Sequence, residues 1–245
     1  ALYLIENRDI SDPTTYKTIY LYFEKDAALD FAESSLLAAI ALIDSDGRFV
    51  FPDQNERQAK ALAHLRKGHN LGFLECSLHL ARMAYVFKWP ELSDPYDQTK
   101  WVRGSGSITQ EKDQEFIKEL ISYALVATQT QKQIKVHDSK HLRRFSEEHR
   151  IEEAHNVLGF LYTALRDNFE AFKHFKVPAK AGNLIAMHNF GVLLSKMDKE
   201  EAFMKSLKYL HKAAGEGLPH SMELLGNQYL YLNDFENAMF WTEKA

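Results

Sequence analysis

Apolar residues recur along the chain at helical rather than strand spacing. Leu29, Leu36, Ile40 and Ile43 fall on one side of a helix, which predicts a helical segment over 14–43 that ends at an Asp46-Gly47 turn. Pro52, Asp53 and Glu56 read as a helix start, with acids near the positive dipole end. That helix is expected to run to Lys67 with Gly68 as its cap, and a second apolar-striped helix to occupy 71–88 and end at Trp89-Pro90. Residues 93–109 carry Asp94-Pro95 and Gly104-Ser-Gly-Ser107 and read as a flexible loop, native or an engineered replacement. Residues 111–133 form an amphipathic stretch through Phe116, Leu120, Tyr123 and Val126 or Ala127. Residues 132–150 are basic and His-rich, and regular patterning resumes from Ser146.

The C-terminal part repeats. Residues 154–162, 186–194 and 221–229 align, with Gly159, Gly191 and Gly226 at one position, 32 and 35 residues apart. Gly182 and Gly217 each stand four residues before the small residue that opens the next segment. Second helices are expected over 168–176, 200–214 and 234–244, with first helices over about 147–165, 184–196 and 219–232. A glycine inside a helix costs roughly 1 kcal/mol against Ala, so three at one matched position imply close helix packing. The small residue, the apolar residue before Gly and the large residue three after it then point to the core. Pro178 stands where the next repeat has Ala213, which predicts a helix end near Lys176. A degenerate fourth unit is readable within 52–88. Counted from Gly68, its opening small residue is Gly72, Cys76-Ser77 replace Leu-Gly, and Leu80 replaces Tyr.

Leu158-Gly159-x2-Tyr162 and Leu225-Gly226-x2-Tyr229, with Lys212-Ala213-Ala214 after Tyr209 and Lys244-Ala245 after Trp241, resemble the Sel-one-like repeat family, a branch of the tetratricopeptide-type repeats. The resemblance covers about residues 150–245. It implies an α-solenoid, and the fold expected is all-α: antiparallel helix-turn-helix repeats in a right-handed superhelix, with a divergent helical N-terminal half. The expected organisation is a divergent region over 1–138 and three repeats over 146–245, the last truncated. The resemblance also implies an adaptor or assembly role, in this family often linked to membranes, secretion or quality control.

Composition narrows the field. The chain has 245 residues, 45% of them hydrophobic, enough for a real core. Eleven glycines and six prolines suit helices better than many short strands. The longest apolar run, 36–43, is far short of a membrane span. A net charge of -4 gives no reason to expect nucleic acid. The single cysteine, Cys76, excludes a disulfide scaffold and reads as a buried structural residue. No Asn-x-Ser/Thr acceptor occurs, and no signal peptide is visible, so compartment is not set. Residue 1 is Ala, and 241–245 stop inside an apolar helical pattern, so neither end reads as a natural terminus.

Candidate chemistry is sparse. The Asp44-Ser-Asp-Gly-Arg48 stretch fails as a calcium loop, with Phe49 where Gly is required and Asn55 where the bidentate Glu belongs. Gly104-Ser-Gly106 lacks the preceding strand, third Gly and Lys of a phosphate loop. His137 and His141 could share a helix face but have no nearby third metal ligand. Residues 132–150 carry six Lys or Arg against three acids, with only Phe145 to stack a base, and read as a solvated helix start. No cofactor, metal or catalytic set is expected.

The function expected is non-catalytic binding of a protein or peptide in the solenoid groove. On the first helices, positions two, six and nine after the small residue face away from the second helix: Asn156, Phe160 and Thr163; His188, Val192 and Ser195; Glu223, Asn227 and Leu230. Phe160 and Val192 are apolar at positions the pattern exposes, as binding anchors are. Alternatively, the N-terminal half covers this face and buries Phe160. Other readings stay open: an enzyme with its site in the N-terminal half, an immunity or inhibitor protein against a secreted effector, and a structural subunit. The unfinished last repeat leaves a homo-oligomer or a larger complex as its completion.

Overall fold

A computed structural model describes residues 13–43, 50–88, 111–130 and 147–245. Their regular structure is entirely helical. Consecutive helices joined by short turns pack as antiparallel neighbours, the arrangement of an all-α helical repeat. The described residues fall into two compact units: those up to 88 with 118–130 and 147–154, and 111–117 with 155–245.

In the first unit, α1 (Pro13–Ala28) packs on α2 (Ala32–Ile43), α2 on α3 (Gln54–Asn70), and α3 on α4 (Leu74–Lys88). The expected continuous helix over 14–43 is therefore two helices. Asp30 adopts φ 63°, and the amides of Asp30 and Phe31 turn back to the carbonyls of Ala27 and Asp26. This left-handed closure satisfies carbonyls at the end of α1 and leaves Leu29 exposed, off the apolar stripe assigned to it. Tyr16, Ile19, Tyr20 and Phe23 of α1 then pack on Ala38, Ala41 and Leu42 of α2.

Asp53 caps α3 by accepting from the Glu56 amide, but Gly68 does not end that helix. It is buried inside it, where a Cβ would overlap the Cys76 sulfur, and the chain turns at Gly72 with φ 84°. Gly72 thus matches Gly182 and Gly217, whose φ values are 110° and 93°. The register of α4 is one helical turn later than the count from Gly68. Cys76 takes the opening small position, Leu80-Ala81 the apolar–small pair, and Ala84 the residue three further on, and all four are buried. Burial pushes the Cys76 thiol well above its ordinary range, so it is inert packing.

The described part of the amphipathic stretch is α5 (Glu111–Ala127), whose buried stripe is Ile117, Leu120, Ala124 and Ala127. Next comes α6 (Glu147–Ala164), where Arg150 departs from the solvated helix start expected of it. Its side chain is buried, donates to the Ala127 carbonyl, and lies 3.3 Å from Glu75. Burial raises the Glu75 carboxyl above its ordinary range by more than Arg150 pulls it down. The Asp46-Gly47 turn, the Trp89-Pro90 helix end, the 93–109 loop with Gly104–Ser107, and the His137/His141 pair lie outside the described residues.

The second unit holds the rest of α6, then α7 (Asn168–Ala181), α8 (Leu184–Ser195), α9 (Glu200–Gly215), α10 (Pro219–Tyr231) and α11 (Phe235–Lys244). The first helices of the repeats are α6, α8 and α10, and the second helices are α7, α9 and α11. Asp167, Asn183 and Asp234 cap α7, α8 and α11 by accepting from the amides of Glu170, Ala186 and Asn237. Each helical glycine faces the second helix of its own repeat: Gly159 meets Phe175, Gly191 meets Leu210, and Gly226 meets Thr242. The helix end expected near Lys176 does not occur, and α7 continues through Pro178 to Ala181. Proline's own φ is helical, so its cost is one missing donor near the helix end. The amides of Gly182 and Asn183 both close onto the Pro178 carbonyl.

Candidate interaction site

The core positions expected of the first helices are in place. Ala154, Leu158, Ala186, Phe190, Leu194, Ser221 and Leu225 are buried, with Tyr162 and Tyr229 half-buried. The nine outward positions divide. Asn156, Phe160 and His188 are buried, Thr163, Val192 and Ser195 are partly exposed, and Glu223, Asn227 and Leu230 are exposed. The anchor role therefore does not hold for Phe160, which is 6% exposed and packs edge-on against Phe175 with ring centroids 5.2 Å apart. That partner belongs to the second helix of its own repeat, the helix from which this position was expected to face away. His188 is held by Ser221 of α10, with Nδ1 3.0 Å from the hydroxyl oxygen.

Histidines recur at helix junctions of this unit. His155 and His174 bring their Nδ1 atoms to 2.9 Å, and Tyr162 stacks on His174. His188 faces His220 with ring centroids 6.2 Å apart. His211 approaches the Tyr229 hydroxyl at 2.6 Å and lies edge-on to Trp241. Burial holds all of His155, His174, His188 and His211 below the ordinary imidazole range, with His174 and His188 brought down to about 4. They are neutral at pH 7 and serve as hydrogen-bonding packing groups. Among the described residues, no group of three or more His, Cys, Asp or Glu could hold a metal ion. No described helix is long and apolar enough to cross a membrane.

The surface feature of this unit is a cavity of about 600 Å³ at the junction of the second and third repeats. Met197 and Lys199 come from the turn between α8 and α9, Phe203 from the first turn of α9, and Leu224, Asn227, Gln228 and Tyr231 from α10. The spacing of the repeats explains why it opens there. Gly159 and Phe175, like Gly226 and Thr242, are 16 residues apart, whereas Gly191 and Leu210 are 19 apart. The three extra residues extend the start of α9 into a wall that the other repeats lack. Of the nine sequence-chosen residues, only Asn227 and Ser195 line this cavity. The rest of its lining was missed, although the step from 32 to 35 residues between glycines marked the insertion.

Exposed apolar side chains accumulate in the third repeat. Leu230, Tyr231 and Leu232 end α10, and Phe235, Met239 and Phe240 stand on α11, with Tyr231 81% and Met239 64% exposed. The equivalents of Met239 in the preceding repeats are Phe172, which stacks on Phe190 of α8, and Leu207, which is buried. No family model and no curated protein matches the sequence.

Proposed function

We propose that this chain is a Sel-one-like repeat protein and a non-catalytic protein-interaction module, an adaptor or assembly factor that binds a protein or peptide partner through its third repeat. The observation that carries the reading is the run of exposed apolar side chains in the third repeat, Leu230, Tyr231, Leu232, Phe235 and Met239, of which Tyr231 and Leu232 line an open cavity. Large exposed apolar side chains gathered in one part of a molecule are what partner binding uses. Glu223, Asn227 and Leu230 belong to this surface, while burial takes Asn156, Phe160 and His188 out of it.

The face of α11 favours a structural subunit as second reading. Met239 is bare where Phe172 and Leu207 meet a following helix, so this face has room for a further helix. The test is Phe235→Ser with Met239→Ser, comparing melting temperature and partner recovery after cross-linking in extracts of the source organism. Both side chains are exposed, so the melting temperature should hold while a recovered partner is lost. Retention of every partner by the double variant would overturn the reading.

A further inference from the structure

The second helices of the first two repeats turn one kind of surface outward. Phe169 of α7 and Met204 of α9 each stand six residues before the side chain that meets the helical glycine, Phe175 and Leu210. The two positions are therefore equivalent, and both are exposed, Phe169 at 69% and Met204 at 59%. Lysines follow on the same side of each helix. Lys173, Lys176 and Lys180 come four, seven and eleven residues after Phe169, and Lys208 and Lys212 four and eight after Met204. The opposite sides are the buried ones, with Ala171, Phe175 and Pro178 in α7 and Ser206, Leu210 and Ala213 in α9. Phe190 of α8 stacks on Phe172 and lies edge-on to Tyr209, with ring centroids 4.8 and 5.0 Å apart. The two second helices thus stand side by side against one residue of α8.

Bulk charge hides what this surface carries. The chain has 34 acids against 30 Lys and Arg, but beyond their first turns α7 and α9 hold six lysines and no acid. Lys173 and Lys205 are paired with Glu170 and Glu201 of those first turns, each at 2.6 Å. Lys176, Lys180, Lys208 and Lys212 are exposed and have no ion-pair partner among the described residues. Free cations gathered on adjacent helices repel one another, and an anionic surface relieves that repulsion. The apolar members narrow the class of partner. Phe169, Val177 and Met204 are exposed among the lysines rather than apart from them, and Lys173 lies over the Phe169 ring, 4.1 Å from its centroid. An anionic bilayer surface offers both complements at one level. Its headgroup phosphates take the ammonium groups, the acyl boundary beneath takes the apolar tips, and lysine stems are long enough to reach past them. A purely ionic partner would leave the apolar tips in water.

We propose that the outward face of α7 and α9 docks on a membrane surface rich in anionic phospholipid, with Lys176, Lys180, Lys208 and Lys212 at the headgroups and Phe169 and Met204 entering the acyl boundary. This contact is peripheral and needs no spanning helix. It goes beyond the protein-binding reading of the third repeat and does not rest on it, because it uses neither Phe235 nor Met239.

The experiment is co-sedimentation of the full chain with vesicles of phosphatidylcholine alone and of phosphatidylcholine with about 30 mol% phosphatidylserine. The chain should sediment with the second and stay in solution with the first. Lys176→Gln with Lys208→Gln should weaken partitioning about 25-fold, at about fivefold for each lysine near an anionic leaflet. Phe169→Ser with Met204→Ser should weaken it by a similar factor at about 0.05 and about 0.2 M salt, whereas the deficit of the lysine variant should shrink as salt screens the charges. All four side chains are exposed, so melting temperatures should hold. Equal recovery with neutral and anionic vesicles, no recovery with either, or a double variant that matches the wild type would overturn the proposal. Capture by polyglutamate beads with none by vesicles would overturn it as well, and would assign the face to an acidic protein. The two readings fail separately, since release of a partner by Phe235→Ser with Met239→Ser tests the third repeat whatever the vesicles show.

Discussion

Gly159, Gly191 and Gly226 occupy one sequence position, yet their surroundings differ in what can give way. A Cβ on Gly159 would lie 2.6 Å from the ring of Phe175, which is buried and cannot withdraw. On Gly191 it would lie 2.8 Å from Leu210 Cγ, and on Gly226 2.5 Å from the hydroxyl of Thr242, an exposed side chain that can rotate at the cost of its 2.8 Å hydrogen bond to the Ala238 carbonyl. Helix propensity favours Ala over Gly by roughly 1 kcal/mol at each site. Gly159→Ala should therefore destabilise by about 1–2 kcal/mol, because overpacking exceeds that gain. Gly226→Ala should be neutral or stabilising, and Gly191→Leu should cost about 2–4 kcal/mol. Urea denaturation of the three variants checks the order, and equal costs at 159 and 226 would contradict the contacts. The sequence marked these glycines by their spacing alone. Which side chain opposes each is set by the second helix, whose residue there is Phe, Leu or Thr.

At the scale of helices, the turns were legible where glycine makes them and illegible elsewhere. Gly182 and Gly217 announce left-handed turns, but Asp30, Arg166 and Asn233 adopt φ of 63°, 61° and 60° with ordinary side chains. That is why the α1–α2 break was hidden within a continuous apolar pattern. Glycine misled in the other direction at Gly68, where a packing residue passed for a cap. The outward positions of the first helices were misplaced for a related reason. The pattern treats each helix as touching its own partner, whereas α8 is also covered by the next first helix, α10, through His188 and Ser221. This junction has a pH dependence. The pKa of His188 is lowered to about 4 by burial, with His220 of α10 the titratable group that faces it. The native state then binds fewer protons than the unfolded chain. The stability this contributes is complete above the unfolded value of 6.5 and is lost as pH falls toward 4. The loss should be on the order of 3 kcal/mol. His155 and His174 add to the wild-type slope in the same direction. The difference in slope between wild type and His188→Asn, from denaturation between pH 7.5 and 4.5, isolates the junction. Identical slopes would show that His188 does not set it.

Across the whole molecule, periodicity made the helical class and the three C-terminal repeats legible, because each repeat buries the same few positions. The cavity was not legible as a site, since it arises from a three-residue difference between repeats rather than from any motif. Repeats of this kind gain stability from contacts between neighbours, so a helix is as secure as the number of faces it has covered. In the second unit, α8 packs on both α7 and α9, α9 on both α8 and α10, and α10 on both α9 and α11, while α11 packs on α10. Amide hydrogen exchange should therefore be fastest in α11, slower in α10, one of whose two neighbours is α11, and slowest in α8 and α9. Substitutions should follow the same gradient. Leu210 of α9 is fully buried, so Leu210→Ala should cost about 2–5 kcal/mol and speed exchange throughout the unit. Trp241 packs in one cluster with Leu207, Leu210 and Ala214 of α9 and Leu225 of α10, and lies edge-on to His211 of α9. Trp241→Ala should speed exchange in α11 and in the faces of α9 and α10 that it covers, and leave α8 unchanged. Uniform protection from α8 to α11, or a response to Trp241→Ala as broad as that to Leu210→Ala, would mean that the unit opens as one block rather than helix by helix from the α11 side.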